Sequence, residues 1–274
     1  MNGRLSLRVG LENGASALLH CHCEFPLRVL RPHRTDGGDW LSLVVLTPSG
    51  GLLDGDDLQA EIVVERGARL ALRTQAATQL HSGRSSQSWS ISLDQGAHLS
   101  YLPHPLVPHA GATHYAKVSV AMAGSAHVLL AEAVAPGRAH RGELFAYDEL
   151  RSDLDVWCDG SLIARERQVL RPRAAMLCAQ LGPYGYFASA YALGPETLRF
   201  DCASLPISPT VPWGVSELAR GGVCMRLLGQ RMFDLEQALA NLGDCWRASL
   251  PGSCYPRLPA LLAPQEVKHE ARYV

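Results

Sequence analysis

Ala60-Glu61-Ile62-Val63-Val64-Glu65-Arg66-Gly67-Ala68-Arg69-Leu70-Ala71-Leu72 is the stretch on which the fold turns. Ala60, Ile62 and Val64 alternate with polar or half-polar neighbours, the period of a half-buried strand. Arg66-Gly67 breaks the run, and Ala68, Leu70 and Leu72 resume it. The same pattern returns 29 residues later as Trp89, Ile91 and Leu93, a turn at Gln95-Gly96, then Ala97, Leu99 and Tyr101. It returns again as Val118, Val120 and Met122, Gly124-Ser125, then Ala126, Val128 and Leu130. A degenerate fourth copy reads Leu154, Val156 and Cys158, Asp159-Gly160, then Leu162 and Ala164. One strand pair cannot bury its own face, so successive copies should stack. The expected class is mainly β, with stacked or coiled multi-stranded sheets, solenoid- or sandwich-like, over an internal repeat at 60–132.

Working outward, Ser16 to Cys23, Leu27 to Leu30 and Trp40 to Leu46 read as strands before the repeat. A few helices are expected, chiefly in the C-terminal third. Met232, Leu235, Leu239, Leu242 and Trp246 share one helix face, which predicts a helix over 232–248 that Pro251-Gly252 ends. Pro206 to Pro212 reads as a loop, Leu181 to Leu193 stays unassigned, and the tail after Pro259 is expected to be loosely held.

The repeat also places polar groups on the inward face. Six residues beyond Ala68, Ala97 and Ala126 stand Thr74, Pro103 and Glu132. All have the parity of the inward apolar residues. Glu166 continues Leu162 and Ala164 in the same way. Each glutamate either emerges into solvent at a strand end or enters the core, where a charged carboxylate must be paired, hydrated or protonated. Arg138 and Arg141 are the expected partners, with a water-filled passage as the other solution.

Composition narrows the classes. The chain of 274 residues is ample for one large β-rich domain, and a net charge of −1 argues against a nucleic-acid partner. With 19% charged and 47% apolar residues, some apolar surface is expected to be covered by a partner. No apolar run reaches bilayer-spanning length and no signal-like segment opens the chain, so no membrane is expected and the location read is cytoplasmic. The eight cysteines include no Cys-x-x-Cys pair, which removes the strongest zinc and redox patterns. No nucleophile elbow, His-Glu-x-x-His helix or phosphate-binding loop occurs, so no enzyme is expected. The rival readings are a nickel- or zinc-binding protein or metalloenzyme built on His/Cys clusters, and a β-solenoid binding module. In His20-Cys21-His22-Cys23, strand alternation sends the histidines to one side and the cysteines to the other. His104, His109 and His114, spaced by five, read as loop histidines.

Four segments in series carry a family resemblance. Gly50-Gly51-Leu52-Leu53-Asp54-Gly55-Asp56-Asp57 is followed by Thr74-Gln75-Ala76-Ala77-Thr78. Leu102-Pro103 with Val107-Pro108 comes next, then Gly137-Arg138 with Gly142-Glu143. This series resembles the UreD (UreH) urease accessory proteins, whose opening signature is glycine-glycine, two aliphatics, then glycine-glycine-aspartate. On that resemblance, residues 1–274 form a single UreD-like domain. Gly50, Gly51, Gly55, Asp56, Thr74, Thr78, Pro103, Pro108, Gly137, Arg138, Gly142 and Glu143 would be its structural signature. The sequence departs from the pattern at Asp54, which replaces a glycine, and at Asp57, where a basic residue is common. His109 replaces an aromatic, and Pro256-Arg257-Leu258-Pro259 matches the family ending only in part.

The resemblance implies a maturation chaperone with no catalysis of its own. Such a protein binds apo-urease with a UreF-like adaptor and, through it, a UreG-like GTPase. It assists nickel insertion, with no tightly bound cofactor and nickel held only transiently. Glu132, Glu166 and Asp56 are then the candidates for a nickel path.

Overall fold

The computed structural model describes residues 1–34, 39–172, 181–195 and 205–250. The chain begins with β1 (Asn2–Glu12), β2 (Ala15–Cys23), β3 (Arg28–Val29), β4 (His33–Arg34) and β5 (Leu41–Leu46). The repeat supplies β6 (Asp57–Val64), β7 (Arg69–Thr74), β8 (Thr78–Leu80), β9 (Gly83–Leu93) and β10 (His98–Tyr101). It continues through β11 (Leu106–Pro108), β12 (Ala112–Met122) and β13 (His127–Val134). After a 3-10 turn at Ala139–Arg141 come β14 (Glu149–Cys158), β15 (Ser161–Leu170), β16 (Tyr186–Leu193), β17 (Trp213–Glu217) and β18 (Val223–Gly229). The helix α1 (Met232–Ser249) follows.

Two sheets result. The first runs β15-β14-β12-β9-β6-β1-β2, and the second runs β17-β18-β16-β13-β10-β7-β5-β3, with β4, β8 and β11 beside that path. Each repeat copy puts its first strand in one sheet, turns, and puts its second strand in the other. The copies stack as parallel ladders in which Ala60 faces Trp89 and Trp89 faces Val118. In the second sheet Leu70 faces Leu99, and Leu99 faces Val128. The turns close by matched hydrogen bonds from Ala68, Ala97 and Ala126 to the carbonyls of Glu65, Asp94 and Ala123, at 2.9–3.0 Å. Ile62, Ile91, Val120, Leu70, Leu99 and Val128 are fully buried between the sheets. A coil of strands thus flattens into a two-sheet stack, uniting the solenoid- and sandwich-like descriptions.

The fourth copy departs from the expected pattern. β14 takes the next rung, with Leu154 against Val118, but β15 doubles back antiparallel on β14 within the same sheet. Asp159 and Gly160 both have positive φ, 46° and 77°. Two such residues form a hairpin turn whose twist suits antiparallel strands, so the chain cannot cross to the second sheet. The vacated rung beside β13 is filled by β16, which covers most of the unassigned stretch and pairs Glu132 with Ser189.

The centre of the second sheet, β13 and β16, is buried on both faces, whereas its edge strand β17 is largely exposed. The sheet's outer face presents Leu129, Ala131, Ala133, Ala188, Ala190 and Ala192. Leu235, Leu239, Leu242 and Trp246 of α1 pack over these short side chains, with Trp40 beneath. Part of the apolar content lies in this second core, while Phe25, Leu144 and Phe233 stay exposed. Residues 206–212 form a loop ending against β17. Cys178, Cys202, Cys254, Pro251-Gly252, the 256–259 segment and the tail after Pro259 lie outside the described residues.

Candidate functional site

The inward stripe of the second sheet changes chemistry beyond Leu72, Tyr101 and Leu130. The next same-face residues are Thr74, Pro103 and Glu132, and all three line a partly open cavity of about 80 Å³. That is room for a few water-sized occupants. Thr78, Glu166 and Tyr191 border the same space, as do Ser152 and Gln168 from the first sheet. Strand alternation brings Glu132 inward, as its parity requires. Glu166 arrives differently, on the returning strand of the hairpin, opposite Leu154.

Glu132 accepts a hydrogen bond from Ser152 Oγ at 3.0 Å. Burial pushes its carboxyl above the ordinary carboxylate range, and the nearby Glu166 charge adds to the rise; the Ser152 bond and Arg226 oppose it. Glu166 is held by a different set. Arg226 Nη2 donates to its Oε2 at 2.6 Å, and the Tyr191 hydroxyl donates to the same oxygen. Arg226 Nη1 reaches the Tyr191 oxygen at 3.0 Å and its guanidinium lies 5.5 Å from that ring's centroid. Burial, together with the bond to Glu166, raises the Tyr191 pKa and keeps the phenol protonated. The two carboxyls are thus unlike: one is biased toward its neutral form, the other is ion-paired.

The expected arginine partners are corrected here. Arg138 Nε donates to Glu143 at 2.8 Å, and its Nη2 completes a two-pronged pair on the same carboxylate. Arg141 sits in the 3-10 turn. Arg226, Tyr191 and Ser152 take the roles expected of these two. None was visible in the sequence, since their strands reach the cavity through pairings that no repeat spacing announces.

Asp56 does not border this cavity. Its carboxylate accepts the Leu53 N–H at 2.8 Å and pairs with the Met1 ammonium. Its neighbours are also engaged: Asp54 accepts the Arg84 N–H at 2.7 Å, and Asp57 the Ser86 hydroxyl at 2.5 Å. The glycines shape the same loop, with φ of 76°, 133° and 81° at Gly50, Gly51 and Gly55. Gly51 lies so close to the Gln79 carbonyl that any Cβ would collide with it. The flanking Leu52 N–H donates to that carbonyl at 2.8 Å. Gly137 and Gly142 bracket the 3-10 turn beside the Arg138–Glu143 pair, and Pro108 ends β11.

A larger cleft of about 330 Å³ lies between the second sheet and α1. Pro103 and His104 border both spaces. His104 Nδ1 stands 2.6 Å from Glu236 Oε1 of the helix, and its backbone N–H donates to Thr74 at 2.8 Å. The remaining histidines separate. His109 meets Gln79 at 2.9 Å, whereas His114 is a buried strand residue bonded to Ser85 at 2.9 Å, not a loop histidine. Burial lowers the His114 pKa to about 4, so it is neutral near pH 7. His20 to Cys23 lie on β2 with the expected alternation. Among the described residues, no three His, Cys, Asp or Glu side chains converge as a metal cluster. No helix among these residues is long and apolar enough to cross a membrane.

The family model described as UreD urease accessory protein matches residues 1–260. A urease accessory protein UreD of Mycolicibacterium gilvum is 31% identical over 261 residues, covering 91% of this chain and 96% of the relative. One from Acetivibrio thermocellus is 28% identical over 246 residues, covering 86% and 94%. One from Cenarchaeum symbiosum is 31% identical over 252 residues, covering 86% and 87%. The chain belongs to the UreD family of urease accessory proteins.

Proposed function

We propose that this protein is a urease maturation chaperone that binds apo-urease with a UreF-like adaptor and, through it, a UreG-like GTPase. Its task is to assist nickel insertion in the cytoplasm, with nickel as cargo and no resident cofactor. The observation that carries this reading is a cavity inside a UreD-family fold, bordered by two carboxyls with unlike surroundings.

Ni²⁺ accepts carboxylate, imidazole and water ligands, while passage demands that each station release what it binds. Glu132 suits that demand. Burial favours its neutral form, so a proton competes with an arriving cation for the carboxyl and the ion is held less firmly. Glu166 is less free, because Arg226 and Tyr191 compete for its oxygen; the same contacts hold it in place for the next passage. His104, shared between the cavity and the cleft under α1, offers a route between interior and surface.

The test is co-expression with apo-urease and the two partner proteins, followed by affinity capture of this chain. The expected result is specific retention of urease, strengthened by the UreF-like protein. A soluble, folded chain that captures none of them would overturn the reading.

A further inference from the structure

The edge strand β2 carries a feature that the maturation role does not use. Cys21 and Cys23 project from the same face, opposite Leu7 and Leu5 of β1, and their sulfurs are 3.6 Å apart. Both are free thiols; Cys21 is exposed and Cys23 half-buried against the interior core. Their strand is the outermost of the first sheet, so one long side of it has no strand neighbour there. Among the described residues each thiol's polar contact is the other. His20 and His22 point to the opposite face, where His22 meets Glu24 at 3.4 Å.

A tetrahedral ion with metal–sulfur bonds of about 2.3 Å holds two thiolates with their sulfurs about 3.8 Å apart. The Cys21–Cys23 separation falls within a few tenths of an ångström of that bite, while a disulfide would require closure to about 2.05 Å. We propose that Cys21 and Cys23 form a two-thiolate site for a thiophilic divalent cation of tetrahedral preference, such as Zn²⁺ or Cd²⁺, with water completing the shell. Binding forms two metal–sulfur bonds and releases the two thiol protons to solvent. The site is separate from the carboxyls of Glu132 and Glu166.

The test is titration of Cd²⁺ into the reduced full-length chain, following the sulfur-to-cadmium absorption band and the bound ions by native mass spectrometry. One Cd²⁺ should bind through this pair, and Cys21→Ser should weaken it at least about tenfold by removing one of two protein ligands. Cys21 is exposed, so that variant should fold normally by circular dichroism and retain capture of urease. His20→Ala with His22→Ala should bind Cd²⁺ as before. The proposal fails if the band survives in Cys21→Ser and Cys23→Ser alike, or if the histidine variant abolishes it. It also fails if the pair in the reduced chain resists metal and is recovered as a disulfide.

Discussion

The two ends of the stacked strands serve opposite purposes. Next to the turns, Ile62, Ile91 and Val120 face Leu70, Leu99 and Val128, all six fully buried and apolar. Four residues further along the second sheet, the same face offers Thr74, Pro103 and Glu132 around a cavity. The backbone changes there too: β7 stops at Thr74 and β10 at Tyr101, while β13 runs on through Glu132. The dry end supplies packing and register. The polar end gives up part of that packing for carboxyl, hydroxyl and phenol groups around a cavity. A fold that stacks strands in register can thus confine its polar interior to one zone without weakening the ladder beside it.

The largest expected loss comes from breaking the dry end. Leu70→Ala should lower unfolding free energy by about 2–5 kcal/mol through lost transfer energy and a residual cavity. Urea denaturation measures it, and a change below about 1 kcal/mol would show that this end is not the stabilising core.

The glycine loop sharpens the comparison at the next level. Gly51→Ala should cost about 2 kcal/mol or more, because positive φ strain adds to collision with Gln79. Gly55→Ala meets open space and should cost about 1 kcal/mol from φ alone. Equal midpoints for the two variants would mean that the close approach at Gly51 is unimportant.

At the polar end the effect depends on pH. The unfolded Glu132 carboxyl titrates near 4.5 and the folded one higher. Below 4.5 both states hold the proton, and the contribution of neutral Glu132 is complete. As pH rises through the folded value, the native state must ionise a buried group or forgo ionisation, and that contribution is lost. Glu132→Gln stays neutral and keeps an acceptor for Ser152, so its stability should decline less across that window. Parallel pH profiles of melting temperature for the two proteins would contradict this.

The smallest effect is expected at Arg138→Ala. Its ion pair with Glu143 is open to solvent screening and should leave the melting temperature nearly unchanged. A large drop would move weight from the strands to the 3-10 turn.

Sequence made the repeat legible because period-two patterning and a constant spacing survive without any knowledge of partners. The inward turn of Glu132 followed from parity alone. Glu166 reached the same cavity by another route, since Asp159-Gly160 is hairpin chemistry that the repeat pattern masked. Ser152, Tyr191 and Arg226 were not legible: β14 sits 36 residues from β12 in register, and β16 and β18 join antiparallel. Such non-local pairings leave no periodic trace. Asp56 shows the converse limit. A carboxylate beside glycines resembles a ligand in sequence, yet here it organises its own loop and the start of the chain.

The most direct measurement is the nickel content of urease matured in the presence of the Glu132→Gln, Glu166→Gln double variant, with assembly checked by affinity capture. If the polar end carries the cargo, the complex should form normally and the urease should contain far less nickel than with the native chain. An intact complex yielding fully nickel-loaded urease would contradict the account and leave the cavity without a part in delivery.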